Sequence, residues 1–280
     1  MDGSDIICAN CNKDFVIEPD DFSFYEKIGV PAPTFCYTCR IQRRMFWRNE
    51  RNFYKRPCDL CKQDFVSTYS LDTPYTVYCT KCFFSDKWDP YMYGKDIDFS
   101  KPFFSQWKDL LHKVPLNGMM NDDGIASINS PYSYDYFFSK NVYLSACGWH
   151  SENLYYCFNA NYSKEISNSF FAMNSELCNF VSEVEKCFGS VFLFDSENST
   201  QCLYSSDLKN CNNCFLSVGL RNKSYCIKNV QYSKEEYLEK LNAYKLDTIL
   251  GSKTAFKEMQ DFVESFPRRF AKVIQCVNST

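Results

Sequence analysis

The sequence predicts a mainly β protein with some α: two tandem modules closed by four cysteines each, then a parallel β-helix-like solenoid with a helical insertion. Three observations carry this. Four Cys-x2-Cys pairs follow one another, Cys8/Cys11, Cys36/Cys39, Cys58/Cys61 and Cys79/Cys82. Strand-sized aromatic and aliphatic pieces alternate with Ser, Asn, Lys and Glu from about residue 138, with Cys202, Cys214 and Cys226 each 12 apart. Two stretches after residue 232 show helical spacing of their apolar residues.

Two cysteines separated by two residues can turn the backbone around one tetrahedral ion, and two such knuckles supply a closed four-thiolate site. Pairing neighbours gives two sites and two structural zinc ions, in modules of the zinc-ribbon or treble-clef type. A disulfide framework is the competing reading, since the chain holds 17 cysteines. It is set aside because Met1-Asp2-Gly3-Ser4-Asp5 is acidic and opens no signal peptide. A reducing compartment, not secretion, is expected, and there thiols stay free to ligate. With a net charge of −3 and a pI near 5.6, and no apolar stretch of bilayer length, a soluble chain without a membrane partner is expected.

The expected order is a first zinc module with a basic helix (1–57), a second ribbon with an amphipathic helix (58–114), a looped junction (115–137), the solenoid (138–231), a helical pair (232–269) and the start of a further coil (270–280). In the first module Arg40-Ile41-Gln42-Arg43-Arg44-Met45 lacks Gly and Pro and follows the last knuckle, so Cys36 and Cys39 should sit at a helix N-terminus. In the second, Asp64–Ser70 and Tyr75–Tyr78 are expected to pair as a hairpin between knuckles. Phe103, Phe104, Trp107, Leu110, Leu111 and Val114 then recur at helical steps, and this helix is expected to pack the ribbons against the downstream domain.

In the solenoid each coil buries its inward side chains on the next, and cysteine suits such a stack. Cys202, Cys211, Cys214 and Cys226 read as stacked core, with a third metal site as the alternative. His150 reads as a corner residue. Open solenoid ends need caps. Ser233-Lys234-Glu235-Glu236 is a capping box opening one helix, and Gly251 separates it from a second. Phe270–Val277 reads as one more strand, and the final Asn278-Ser279-Thr280 echoes Asn198-Ser199-Thr200, which leads into another coil; the expectation is either a truncated chain or a partner that continues the stack.

The basic charge is concentrated in Arg40, Arg43, Arg44, Arg48, Arg51, Lys55 and Arg56, against Glu50 alone. Phe46, Trp47, Phe53 and Tyr54 interleave with them, a pattern that grips single-stranded RNA or DNA by phosphate pairing and base stacking. The competing reading pairs these arginines internally with acidic stretches.

Two resemblances add to this. The series Cys8-x2-Cys11, Phe15, Phe24-Tyr25, Gly29, Pro33, Cys36-x2-Cys39-Arg40 resembles the small "probable zinc-ribbon" modules. With Trp88-Asp89-Pro90, Arg221-Asn222-Lys223-Ser224-Tyr225-Cys226 and Tyr232–Tyr237, nearly the whole chain resembles an uncharacterised family of zinc-ribbon proteins with cysteine-rich repeats, from small-genome uncultured bacteria and giant DNA viruses. That resemblance brings no established activity with it, and a cytoplasmic or virion location is expected. The function expected is a non-enzymatic scaffold for a protein partner or large assembly. Nucleic-acid binding through 40–56 is the alternative, and carbohydrate processing by Asp195, Glu197 or Asp207 on the solenoid a third reading by analogy with other solenoids. The sequence leaves the oligomeric state open.

Overall fold

The computed structural model describes residues 4–46, 49 and 52–267 and divides into two compact units, one ending at Glu50 and one beginning at Arg51. Arg48, Arg51 and the strand expected over 270–277 lie outside the described residues.

The first unit is built on β1 (Ser4–Ile7) and β2 (Asp14–Ile17), paired antiparallel around the Cys8–Cys11 knuckle. Helix α1 (Pro19–Lys27) follows, with Pro19 in its first turn and Asp20 and Asp21 where the helix dipole favours them. Helix α2 (Tyr37–Met45) starts at Cys36, which occupies its N-cap.

The second unit repeats that plan. β3 (Tyr54–Pro57) pairs antiparallel with β4 (Asp64–Ser67) around Cys58–Cys61, and the short helix α3 (Thr80–Phe83) starts at Cys79. This corrects two expectations. β4 pairs with β3 and not with Tyr75–Tyr78, because the knuckle is itself the hairpin turn: the Cys58 N–H donates to Gln63 O, and Lys62 turns the chain at φ 63°. Tyr54–Pro57 therefore belongs to the second module, although the sequence reading put it in the first. β5 (Val77–Tyr78) instead pairs in parallel with β6 (Leu116–Asn117), inside the stretch expected to be a loop.

That pairing ties the metal module to the solenoid. Thr68 N–H and Ser67 Oγ both donate to Gly118 O, and Thr80 Oγ1 donates to Met119 O. The next residues cap the first coil. Asp122, buried, accepts from Phe138 N–H and from the Ser127 hydroxyl, and the Asn121 amide donates to Ser133 O.

The solenoid has about eight turns. It begins at or before the strand Tyr132–Phe137, earlier than the 138 read from the sequence. Strands pair in parallel with a 12-residue register, as in Ile166↔Cys178 and Cys214↔Cys226. Each coil has four sides of three residues. Within a side the first residue points inward, and the third adopts positive φ, which turns the corner: Asn141, Leu144, Cys147, His150, Asn153 and Tyr156 are successive examples. The left-handed region is costly for bulky side chains, so the fold persists only because each corner is fixed by the corner beneath it.

Inward positions stack in four columns. One runs Val142, Leu154, Ile166, Cys178, Ser190, Cys202, Cys214, Cys226, all buried. Another runs Ser139, Ser151, Ser163, Ser175, Cys187, Ser199, Cys211. The serines are not filler. The inward N–H cannot reach a ladder carbonyl, and the hydroxyl one coil below accepts it: Ser163 N–H donates to Ser151 Oγ, and Ser175 N–H to Ser163 Oγ, each at 3.2 Å. Each hydroxyl also donates two residues back, as Ser163 does to Asn161 O at 2.8 Å. At corners an asparagine ladder adds side-chain bonds, Asn129 to Asn141 at 2.9 Å and Asn141 to Asn153 at 2.7 Å.

A buried tyrosine stands at each end of the solenoid. Near the start, Tyr136 is fully buried over Gly148 and donates to Ala160 O, two coils away. A Cβ on Gly148 would stand 2.1 Å from the Tyr136 ring and 2.5 Å from Ala160 O. At the far end, Val230–Gln231 folds back antiparallel on Ser224–Ile227 and closes the sheet edge. Helix α5 (Lys234–Ala243), opened by the Ser233–Glu236 capping box, sends Tyr237 among the Cys202, Cys214 and Cys226 thiols. Helix α6 (Ile249–Glu264) is capped by Thr248 and lies on one solenoid face. Gly251 sits inside α6 and does not separate the helices. A Cβ there would stand 2.2 Å from both Tyr244 O and Lys245 O.

Candidate metal centres

The two N-terminal cysteine groups are brought together as the spacing requires. In Cys8/Cys11/Cys36/Cys39, and again in Cys58/Cys61/Cys79/Cys82, the four sulfurs lie within 4.8 Å of one another. The Cys11–Cys36 sulfurs are 3.8 Å apart and the Cys61–Cys79 sulfurs 4.0 Å. A tetrahedron with metal–sulfur bonds of about 2.3 Å has edges of about 3.8 Å, so both groups fit a metal ion. These separations are far too long for a disulfide, and every described cysteine is free.

Local backbone builds both sites alike. In each, the hairpin knuckle offers two thiols and the helix N-terminus two more. Cys36 N–H donates to Cys8 Sγ and Cys79 N–H to Cys58 Sγ, both at 3.2 Å. The Asn10 amide adds a bond to Cys39 Sγ at 3.3 Å. The residue after the first cysteine anchors the second half of each module, Ala9 N–H to Thr34 O and Asp59 N–H to Val77 O.

Within each group charge is unequally tolerated. Burial alone would raise the Cys8 thiol, but N–H groups of Cys11, Cys36 and Asn10 bring it down to about 6. Burial is likewise outweighed at Cys58 by N–H groups of Cys61, Cys79 and Leu60, giving about 7. At Cys39 the Asn10 amide lowers the pKa, yet burial and the thiols of Cys36, Cys11 and Cys8 push it up to about 11. Burial and the thiols of Cys61, Cys79 and Cys58 push Cys82 up to about 12. Four sulfurs this close cannot all be anions without a cation among them, and a divalent ion supplies it.

Among the described residues these are the two groups with metal-ligand geometry. Cys202, Cys214 and Cys226 instead form successive rungs of one column, and Cys211 belongs to the neighbouring one. The Cys202 thiol and burial push Cys214 up to about 12 against a lowering bond from Cys211, and the Cys214 thiol and burial push Cys211 higher still, as expected of inert core thiols. His150 is a corner residue, its ring stacked between Phe138 at 5.1 Å and Tyr162 at 5.3 Å.

The basic residues divide. Arg40 donates to Tyr25 Oη, and Arg43 lies 4.8 Å over the Phe35 ring. Arg44 is exposed. Lys55 pairs with Asp64 on the surface. Arg56 is 4% exposed and bonds Asp59 and Ser70 O, so it braces the second module and is not presented to a phosphate. Asp59 in turn accepts from Val77 N–H at 2.7 Å.

Asp195, Glu197 and Asp207 do share one place, an open groove of about 610 Å³ that runs along a solenoid edge and also touches Glu183 and Glu185. Asp207 is paired with Arg221 at 2.6 Å and Glu197 with Lys209 at 2.8 Å.

The expected packing of the 103–114 helix is corrected. Helix α4 (Phe103–Leu111) forms, but none of its residues is buried, and Phe104 is 80% exposed. Sequence periodicity reveals an apolar stripe without saying what covers it. Among the described residues no helix is long and apolar enough to cross a membrane.

No family model and no curated protein matches the chain.

Proposed function

We propose that the chain is a non-enzymatic scaffold, held by two structural zinc ions, that presents the rigid solenoid to a protein partner or a large assembly. Zinc is favoured because both sites offer four thiolates in closed tetrahedra, which suit it and leave no position for a substrate. The observation that carries the binding role is one solenoid face. Phe192, Leu203, Tyr204, Phe215 and Leu216 pack there against α6 and its neighbours. Beyond a polar patch of Ser167, Asn168 and Asn179, which bond one another, the same side of the earlier coils is apolar again as Tyr132, Tyr143, Leu144, Tyr155 and Tyr156, each at least 38% exposed. Contiguous exposed aromatics on a rigid body mark interaction surfaces.

The test is affinity capture from extracts of the source cells with the zinc-loaded chain and with a Tyr143→Ser/Tyr155→Ser variant. A protein retained by the first and lost by the second is expected; identical recovery would overturn the reading.

Nucleic-acid binding through 40–56 stands second, supported by exposed Arg44 and weakened by the internal roles of Arg40 and Arg56. Binding of a labelled single strand that collapses between low and moderate salt, and weakens in Arg43→Ala/Arg44→Ala, would favour it.

A further inference from the structure

The second unit exposes two apolar surfaces of matching design. One is the uncovered part of the solenoid face, with Tyr132 and Tyr143 rings 5.6 Å apart and Tyr143 and Tyr156 rings 5.9 Å apart. The other is α4. Its far side is anchored by Gln106, which accepts from Asp98 N–H at 2.9 Å and donates to Asp98 O at 3.0 Å. The helix is thereby held with Phe104 and Trp107 outward, 80% and 54% exposed.

Helix α6 shows how a helix seats on this face. Its Ser252 hydroxyl bonds Tyr204 Oη at 2.7 Å, and its Phe256 ring lies 4.9 Å from Phe192. Tyr204 and Phe192 occupy equivalent corners of successive coils, so α6 runs along the solenoid axis toward the earlier coils. Tyr156 and Leu144 are the same corner three and five coils earlier than Phe192 and Tyr204 respectively, by the 12-residue register. The residues that α6 presents are Phe256, Met259 and Val263, at i, i+3 and i+7. Helix α4 offers Phe104, Trp107 and Leu111 at the same spacing. The helix pitch of about 5.4 Å lies close to the strand spacing of about 4.8 Å, so side chains one turn apart meet neighbouring coils.

We infer that the chain self-associates, with α4 of one copy lying on the Tyr132–Tyr156 patch of a second copy as α6 lies on the later coils of the same side of its own solenoid. The inference rests on the scaffold reading and names its partner. Because helix and face are different surfaces, the contact is heterologous unless two copies exchange helices reciprocally. A lipid surface is the other occupant to test. It is disfavoured because Lys108 and Asp109 give α4 no basic face.

The experiment is sedimentation of the zinc-loaded full chain from about 1 to about 100 µM, the range in which modest interfaces report. A mass of at least two copies is expected. Trp107→Ala, which empties the helix stripe, and Tyr156→Ser, which interrupts the face, should each weaken association by about 30-fold or more, as central aromatic anchors do. Both side chains are exposed, so folding is preserved and checked by circular dichroism. The decisive arm mixes the two variants. Each supplies the surface the other lacks, and pairs should reappear that neither forms alone. A monomer throughout the range, or association unchanged in both variants, overturns the inference, as does a monomer that binds neutral vesicles through Trp107. A monomer that still captures another protein through Tyr155 ends self-association and leaves the scaffold reading standing; a monomer without such capture ends both.

Discussion

Ser163→Ala tests whether the serine columns hold the solenoid together. The Ser163 hydroxyl accepts from Ser175 N–H at 3.2 Å, and its single proton is shared between Asn161 O at 2.8 Å and Ala172 O at 3.1 Å. Removing it affects these partners unequally. Asn161 O keeps a second donor, Asn174 N–H at 3.0 Å. The Ser175 N–H lies in the packed wall between coils and is left facing a methyl group. An orphaned buried donor costs about 1–3 kcal/mol, well above the roughly 0.5–1.5 kcal/mol net value of an ordinary hydrogen bond. A loss of about 2 kcal/mol is therefore expected. It should be read from the urea midpoint of zinc-loaded protein, with unchanged slope. Hydrogen exchange at the Ser175 amide should accelerate more than at neighbouring amides. Ser105→Ala on the exposed side of α4 is the control, expected within about 0.5 kcal/mol of wild type. A Ser163→Ala loss no larger than that of the control would show that the N–H finds another partner, and the argument for the serine columns would fail.

Gly148→Ala should destabilise by about 1–3 kcal/mol by overpacking the bore against the Tyr136 ring and the immovable Ala160 carbonyl; thermal denaturation checks it, and a neutral result would mean that Tyr136 does not lie across Gly148. Tyr237→Phe should be neutral or slightly stabilising, because this buried hydroxyl has no hydrogen-bond partner; a loss above about 1 kcal/mol in the same assay would reveal a bond to the thiols around it. Elemental analysis of protein purified without added metal should find two zinc ions, and Cys82→Ala one. Metal binding should release protons at neutral pH, chiefly from Cys39 and Cys82, whose pKa values of about 11 and 12 keep them protonated in the metal-free chain. Since bound thiols are deprotonated, apparent affinity should rise with pH by about tenfold per unit for each proton released. Calorimetry in buffers of different ionisation heat measures that number, and a value near zero would contradict it.

Several of these positions were legible in the sequence and others were not. The cysteine knuckles could be read because two ligands at a fixed short spacing are a local feature. The 12-residue step was visible in Cys202, Cys214 and Cys226, yet the three-residue side was missed. Its signal is present: Ser127, Ser130, Ser133, Tyr136, Ser139, Val142, Ser145, Gly148 and Ser151 are the inward positions of successive sides. A period of three matches neither helix nor strand, so it does not register as secondary structure. The corners were hidden for a further reason. Leu144, Tyr156 and Phe171 at positive φ contradict their own preferences, and only the stacked coils hold them there. The same limit applied to Arg56, which reads as a free cation until the second module folds around it.

What the sequence determined by itself was the inventory with local cause: two four-thiol sites, a repeating β domain, a capped helix at Ser233. Tertiary structure alone decided which strand pairs with β4, that the second metal module is tied to the start of the solenoid through β5 and β6, that Tyr136 and Tyr237 stand at the solenoid's two ends, and that α4 remains uncovered. The division follows contact range. A knuckle or a capping box is settled within a few residues, whereas the identity of the surface opposite an apolar stripe depends on segments far along the chain.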